Sequence, residues 1–228
     1  MRAPRLPPNQ RPKRQPPNRR RRRTPKLLPP KTNRGKNSSR NISSSPVIRL
    51  VLFDIDGTLI RSGGAGEKAF ARVFETEFNV PNGTARLPFA GRTDPSIVRD
   101  FFRQHHIEPG RENFRRFFDS YAFWLDHLLG QIAGRVLPGV PEMIRDWQAL
   151  PRPPAIGLLT GNIRLGAQIK LNYYRLWHLF QTGAFGDDHE DRSQIAAIAR
   201  ERGSHWLNEK LRGDQILVIG DTPLDRKF

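Results

Sequence analysis

The chain contains no cysteine. This excludes disulfides, thiolate metal sites and a cysteine nucleophile, and it fits a reducing compartment, so we expect a cytoplasmic protein. Long apolar runs are also missing. No stretch approaches the roughly 18 consecutive apolar residues that a membrane-spanning helix requires, so we expect no membrane span.

Acidic side chains are missing from residues 1–46, which hold 15 of the 39 basic residues and 10 of the 20 prolines. The rest of the chain holds 24 basic and all 22 acidic side chains, so the formal net charge of +17 belongs mainly to this leader. Its low apolar content predicts a disordered tail. Two interpretations stay open: a solvated extension, or a tail that binds nucleic acid or an anionic membrane by charge.

Apolar, β-branched stretches predict strands at residues 47–53, 155–159 and 215–219, with a very short strand within 183–186. Helical periodicity is found between and beside them, at 67–78, from Asp94 onwards, and at 111–129, 140–150, 163–173 and 193–202. Asp94 and Ser193 are the expected N-caps of two of these helices. Strands that alternate with helices predict an α/β fold with a parallel sheet flanked by helices.

One block interrupts this alternation. Residues 62–136 carry helical patterns only, including a stripe of aromatic residues at helical spacing that is typical of a core. We therefore predict a small helical cap at 62–136, inserted into a core that is formed by residues 47–61 and 137–228.

The most specific chemical signal follows the first predicted strand. Asp54-Ile55-Asp56-Gly57-Thr58 places two carboxylates at i and i+2 beyond a strand end, where ligands of open α/β sheets bind. One carboxylate can attack phosphorus and form an aspartyl-phosphate. The other can protonate the leaving oxygen and then deprotonate the hydrolytic water.

Two further strand ends carry polar residues. Thr160-Gly161-Asn162 offers a hydroxyl and backbone N–H groups at a strand-to-helix junction, which suits a phosphate. Asp221 and Asp225 follow the strand at 215–219. These acids could complete a magnesium site with Asp54 and Asp56, because Mg²⁺ prefers oxygen ligands.

These motifs, in this order, resemble those of the haloacid dehalogenase-like superfamily, in its phosphoglycolate phosphatase-like branch. The resemblance covers residues 47–225. It implies a Rossmann-like core with an inserted cap, Asp54 as the nucleophile and Asp56 as the general acid/base. It further implies that Thr160 holds the phosphoryl oxygens, and that Mg²⁺ is bound by Asp54, the backbone carbonyl of Asp56 and Asp221, with support from Asp225.

Such a site also needs a cation beside the phosphoryl group. Lys170 and Arg192 are the candidates. We favour Arg192, because it follows a loop and precedes a helix, which is where the resemblance places the basic residue, although a lysine is the more usual residue in this family. Thr160, Gly161 and Asn162 are the predicted substrate-binding residues. Arg92 in the cap could also contact an anionic part of the substrate.

The predicted function is magnesium-dependent hydrolysis of a small phosphorylated metabolite. Asp56 argues against dehalogenation, since dehalogenases of this fold lack that acid. A phosphomutase is an alternative that differs mainly in what the cap excludes. An inactive, truncated protein is another, because the chain stops three residues after Asp225. Nucleic-acid binding through residues 1–46 is a further alternative.

Overall fold

The computed structural model describes residues 47–222. Within this range there are six strands: β1 (Leu50–Phe53), β2 (Ile60–Arg61), β3 (Arg135–Val136), β4 (Ala155–Leu159), β5 (Thr182–Ala184) and β6 (Ile216–Ile219). The same range holds six α-helices: α1 (Ala65–Phe78), α2 (Asp94–Gln104), α3 (Arg111–Leu129), α4 (Val140–Gln148), α5 (Arg164–Tyr173) and α6 (Arg192–Leu207). Two short 3-10 helices, Trp177–Leu179 and Gly213–Gln215, complete the regular structure of this range.

Four strands form a parallel sheet in the order β5-β4-β1-β6. β1 and β4 are buried along their whole length, as expected for central strands covered on both faces. In the register of this sheet, Phe53 at the end of β1 lies beside both Leu158 of β4 and Ile219 of β6. The predicted α/β fold is therefore confirmed, and three strands that carry candidate site residues end at one edge.

β2 and β3 form a separate antiparallel ribbon, in which Ile60 pairs with Val136. α1, α2 and α3 lie between the two strands of this ribbon in sequence. These three helices surround an aromatic-rich cluster that includes Phe70, Phe101 and Phe117. The predicted division into core and cap is compatible with this arrangement and stays a prediction.

Two predicted N-caps are wrong. Thr93, not Asp94, caps α2, with its side-chain oxygen accepting a hydrogen bond from the Ser96 N–H. Asp191, not Ser193, caps α6 in the same way. Ser193 is the residue whose N–H is capped, and the carboxylate of Asp94 makes a tertiary contact that local sequence patterns do not encode.

None of the helices within residues 47–222 is long and apolar enough to cross a bilayer. The predictions made for residues 1–46 and for Asp225 concern parts of the chain outside the described residues.

Candidate active site

The turn after β1 is organised around Ile55, whose side chain is completely buried. The Ile55 carbonyl accepts hydrogen bonds from the N–H groups of Leu59 (2.9 Å) and Ile60 (3.1 Å). Gly57 adopts a positive φ of 84° within this turn, which favours glycine. With Ile55 held in the core, the flanking Asp54 and Asp56 both reach the cavity at the edge of the sheet.

Asp221 reaches the same place from the end of β6. The Asp54 N–H donates to the Ile219 carbonyl (2.9 Å), which fixes the end of β1 against the end of β6. A β-carbon added to Gly57 would lie only 2.1 Å from Oδ2 of Asp221, so the Asp221 carboxylate packs directly over the Gly57 backbone. Acids that are far apart in the sequence therefore meet at one point in the fold.

The three aspartates share a cavity of about 290 Å³ between the sheet edge and the helices α1, α2 and α3. Its wall includes residues from the predicted core and from the predicted cap. Among them are the charged or polar residues Asp54, Asp56, Ser62, Glu67, Arg92, Asp94, Tyr121, Asn162, Lys170, Arg192, Asp221 and Thr222. Every predicted site residue in the described range lies in this wall or, in the case of Thr160, contacts it through Asn162.

Lys170 is the best-defined cation of the site. It lies on α5, is only 4% exposed, and donates from Nζ to Oδ2 of Asp56 (2.5 Å) and to Oδ1 of Asn162 (2.6 Å). Asn162 Nδ2 in turn donates to Oδ2 of Asp56 (3.0 Å). The ammonium and the amide thus hold one carboxylate oxygen of Asp56 in a fixed position.

These contacts also set the charge of Asp56. Partial burial raises the pKa of this carboxyl, but the positive charge of Lys170 and the hydrogen bonds from Lys170, Asn162 and Ser62 outweigh it, so the pKa lies below its usual value. The Asp56 side chain is 42% exposed, and solvent therefore still reaches it. Asp56 is ionised at neutral pH in the absence of substrate.

Thr160 is 1% exposed. Its Oγ1 accepts hydrogen bonds from the Asn162 side-chain amide (2.9 Å) and the Asn162 N–H (3.3 Å). Both contacts use the hydroxyl as an acceptor, so its own proton can still be donated. Thr160 therefore positions Asn162, and neither contact uses the hydroxyl proton.

Lys170 and Arg192 both line the cavity, but the described contact to Asp56 comes from Lys170, the candidate we ranked second. A signal for Lys170 was present in the sequence. It shares a helical face with Gly166, Ala167 and Leu171, all of which are buried. A lysine on an otherwise small and apolar face is expected to be buried only with a partner.

Asp94 and Tyr121 are wall residues that sequence patterns assigned to other roles. Asp94 Oδ2 accepts a hydrogen bond from the Ile163 N–H (2.9 Å), and the Asp94 N–H donates to the Gly161 carbonyl (2.8 Å). α2 is thereby tied to the loop between β4 and α5. Burial of this carboxyl raises its pKa from 3.8 to about 7, despite the opposing effects of Lys170 and of the Ile163 hydrogen bond.

This raised pKa predicts a pH-dependent penalty on folding. Between about pH 4 and pH 7 the folded protein keeps a proton on Asp94 that the unfolded chain has released, so stability falls as the pH rises, by up to about 4 kcal/mol. Asp94→Asn cannot ionise. The free energy of unfolding of Asp94→Asn minus that of wild type should therefore increase from pH 5 to pH 8. Urea unfolding at the two pH values measures this difference. Asp119→Asn, an exposed site on α3, should show no such trend, and an equal difference at both pH values for Asp94→Asn would contradict the prediction.

The candidate metal ligands can be judged by the chemistry of their donor atoms and by where they lie. Among residues 47–222, no group of three histidine or acidic side chains has the arrangement of a metal cluster. Asp54 and Asp221 do face one cavity, and the Asp221 carboxylate lies against the backbone that follows Asp56. Two carboxylates and a backbone carbonyl are ligands that suit Mg²⁺.

Three solved structures illustrate the fold of this chain. CbbY from Rhodobacter sphaeroides, in complex with phosphate, is similar with a TM-score of 0.62 and 15% identity over 78% of this chain and 80% of that one. A hydrolase from Pseudomonas syringae has a TM-score of 0.58 and 20% identity over 78% of each chain. A predicted phosphoglycolate phosphatase from Haemophilus somnus has a TM-score of 0.56 and 19% identity over 78% and 79%.

No curated protein matches the sequence significantly. One protein-family model does match the chain, over residues 51–228, from within β1 to the last residue. The matched family is described as haloacid dehalogenase-like hydrolase. The parallel sheet, the acidic turn after β1 and this match agree, and the chain belongs to the haloacid dehalogenase-like hydrolase family.

Proposed function

We propose that this protein is a phosphatase that hydrolyses a small phosphorylated metabolite, with Asp54 as the nucleophile. One observation carries the proposal: Asp54, Asp56 and Asp221 line a single cavity together with a buried lysine. Phosphoryl transfer needs a nucleophile, an acid/base group and positive charge in one place. The predicted cytoplasmic location is retained with this proposal as a prediction.

Asp54 is suited to attack on phosphorus. It is only 8% exposed, its backbone is held at the end of β1, and it lines the cavity. In the first step, an Asp54 oxygen forms a bond to phosphorus and the bond between phosphorus and the ester oxygen breaks. In the second step, water attacks phosphorus and frees the Asp54 carboxylate with release of inorganic phosphate.

Asp56 is the group for proton transfer. It would donate a proton to the departing alcohol and later take one from the attacking water. Its pKa below the usual value keeps it in the ionised form that the second step requires. For the first step, the negative charge of a bound phosphate group would favour the protonated carboxyl, because like charges disfavour ionisation.

The loop after β4 and the α5 lysine would hold the transferred group. Lys170 carries the positive charge beside Asp56, and the Thr160 hydroxyl keeps a proton to donate. Gly161 and Asn162 belong to the same wall, and Arg192 adds a second cation to it. These residues would neutralise and orient the three phosphoryl oxygens.

Mg²⁺ is the cofactor that we propose for this site. Asp54, the Asp56 carbonyl and Asp221 would hold it, with Asp225 as the further ligand predicted outside the described residues. When bound, the ion would offset the repulsion between the anionic substrate and these carboxylates.

The proposal is tested by phosphate release from a panel of phosphomonoesters. We expect release with Mg²⁺ and a loss of at least about 100-fold when the metal is chelated, restored by added Mg²⁺, because charge neutralisation by a metal is worth several kcal/mol in such reactions. Recovery of an isomerised ester instead of free phosphate would indicate the phosphomutase alternative. If no ester reacts in the presence of Mg²⁺, phosphatase activity is excluded for this chain.

A further inference from the structure

The cavity wall opposite the sheet edge is acidic. Besides the three aspartates at the strand ends, two more carboxylates line the cavity: Glu67 in the first turn of α1 and Asp94 at the start of α2. Neither belongs to the groups that would attack phosphorus or hold Mg²⁺. They face the space that remains for the rest of the substrate.

Arg92 and Arg192 also line this cavity, and the charge of Arg92 is already engaged. Nη2 of Arg92 donates to the Ser96 carbonyl (2.9 Å) and forms an ion pair with Oδ2 of Asp100 (2.8 Å). Asp100 lies on α2 and partly neutralises the guanidinium. The guanidinium of Arg92 therefore attracts an anionic substrate less strongly than its position in the sequence suggested.

Asp94 is buried but incompletely partnered. Its Oδ2 accepts from the Ile163 N–H, whereas Oδ1 has no donor within residues 47–222. The residue is 9% exposed, and it is part of the cavity wall. Lys170 attracts this carboxyl, but the two described hydrogen bonds of its Nζ go to Asp56 and Asn162. Asp94 is part of the cavity wall, so a ligand in the cavity can supply the donor that Oδ1 lacks.

Aromatic rings adjoin these acids. Phe70, Phe89 and Tyr121 line the cavity, with ring centroids 5.5 Å apart for Phe70 and Phe89 and 4.8 Å apart for Phe70 and Tyr121. Aromatic rings and carboxylates in one cavity wall can both stabilise a bound cation. The same surroundings repel a carboxylate or a second phosphate.

From this arrangement we propose that the leaving alcohol of the substrate is neutral or cationic and presents hydrogen-bond donors to Asp94, with an ammonium group favoured most. The inference rests on the proposed function, because it assumes that the phosphoryl group sits at the strand ends. It specifies which phosphomonoesters are substrates: esters of amino alcohols and polyols, not esters of hydroxy acids.

Three esters of similar size test the charge preference: phosphoethanolamine, glycerol phosphate and phosphoglycolate. Their binding is measured by calorimetry at pH 8, where Asp94 with its pKa of about 7 is ionised, with Mg²⁺ on the full chain carrying Asp54→Asn, which should bind without turnover. Their hydrolysis is measured on the wild type at the same pH. We expect phosphoethanolamine to bind at least about tenfold more tightly than phosphoglycolate, with glycerol phosphate between them. Equal binding, or tighter binding of phosphoglycolate, would overturn the proposal.

Asp94→Asn, added to the same chain, keeps an oxygen for the Ile163 N–H and removes the charge. Asp94→Asn should reduce the ratio of the affinity for phosphoethanolamine to that for phosphoglycolate to a few-fold. The exposed control Asp119→Asn should leave this ratio unchanged. Glu67→Gln, on the exposed start of α1, should reduce the ratio by a smaller factor and provides the test if Asp94→Asn does not fold. An unchanged ratio in folded Asp94→Asn and in Glu67→Gln would refute the role of this wall.

The two proposals fail in different ways. If wild type hydrolyses none of the esters but the binding preference and its loss in Asp94→Asn are found, the phosphatase proposal is wrong and the charge preference stands. If all three esters are hydrolysed at similar efficiency and bound equally, the phosphatase proposal stands and the charge preference is wrong. Absence of binding for all three esters would contradict both.

Discussion

Replacement of Asp54 by asparagine is expected to lower phosphate release by about 10⁴-fold or more, because an amide cannot form the covalent bond to phosphorus on which the proposed route depends. The variant should fold normally. Asparagine keeps the backbone hydrogen bond from residue 54 to the Ile219 carbonyl. The measurement is the turnover of wild type and variant at saturating ester and Mg²⁺, with unfolding curves recorded in parallel.

The phosphorylated enzyme itself gives a second measurement. Acid-quenched wild type incubated with ³²P-labelled ester should carry label that hydroxylamine releases, as expected for an acyl phosphate. Asp56→Asn should lose its label more slowly than wild type once the free ester is removed, since water then lacks its base. Asp54→Asn should carry none. Turnover near the wild-type rate by Asp54→Asn, or label that persists in it, would show that another group is the nucleophile.

Much of the fold followed from local patterns. The helix predicted at residues 111–129 is observed at Arg111–Leu129, and the strand predicted at 155–159 is observed at Ala155–Leu159. Both segments combine a strong apolar period with clear boundaries. The strand predicted from residue 47 begins only at Leu50, because pairing with β4 and β6 decides where a strand starts.

The site was less completely predictable. Asp54, Asp56 and Asp221 could be placed together because parallel strands end at one edge of a sheet. The role of Asp94 could not, since its contact with the Ile163 N–H joins residues 69 positions apart. Before proline, an aspartate is typical of a helix N-cap, and Thr93 occupies that position here. The orientation of Lys170, by contrast, is indicated by the small and apolar residues Gly166, Ala167 and Leu171 on the same face of α5.

Lys170 provides the sharpest test of which cation serves the reaction. Lys170→Met keeps the apolar stem of the side chain and removes the ammonium that lies 2.5 Å from Asp56. We expect kcat/KM to fall by about 10²–10³-fold, the usual effect of removing one preorganised electrostatic contact from a transition state. Arg192→Met, a matched change at the other candidate, should cost less than tenfold.

The pH dependence of kcat/KM should separate this role from a merely structural one. Lys170 helps to hold the pKa of Asp56 below its usual value, so its removal should raise that pKa. As the pH is lowered, Asp56 is then protonated at a higher pH than in wild type. The acidic limb of the kcat/KM profile should therefore shift to higher pH in Lys170→Met. Lys170→Arg, which retains the charge, should keep the limb near its wild-type position. If Lys170→Met is active with an unmoved profile while Arg192→Met loses 100-fold or more, the cation beside the phosphoryl group is Arg192, because only a group that stabilises the transferred charge has an effect of that size.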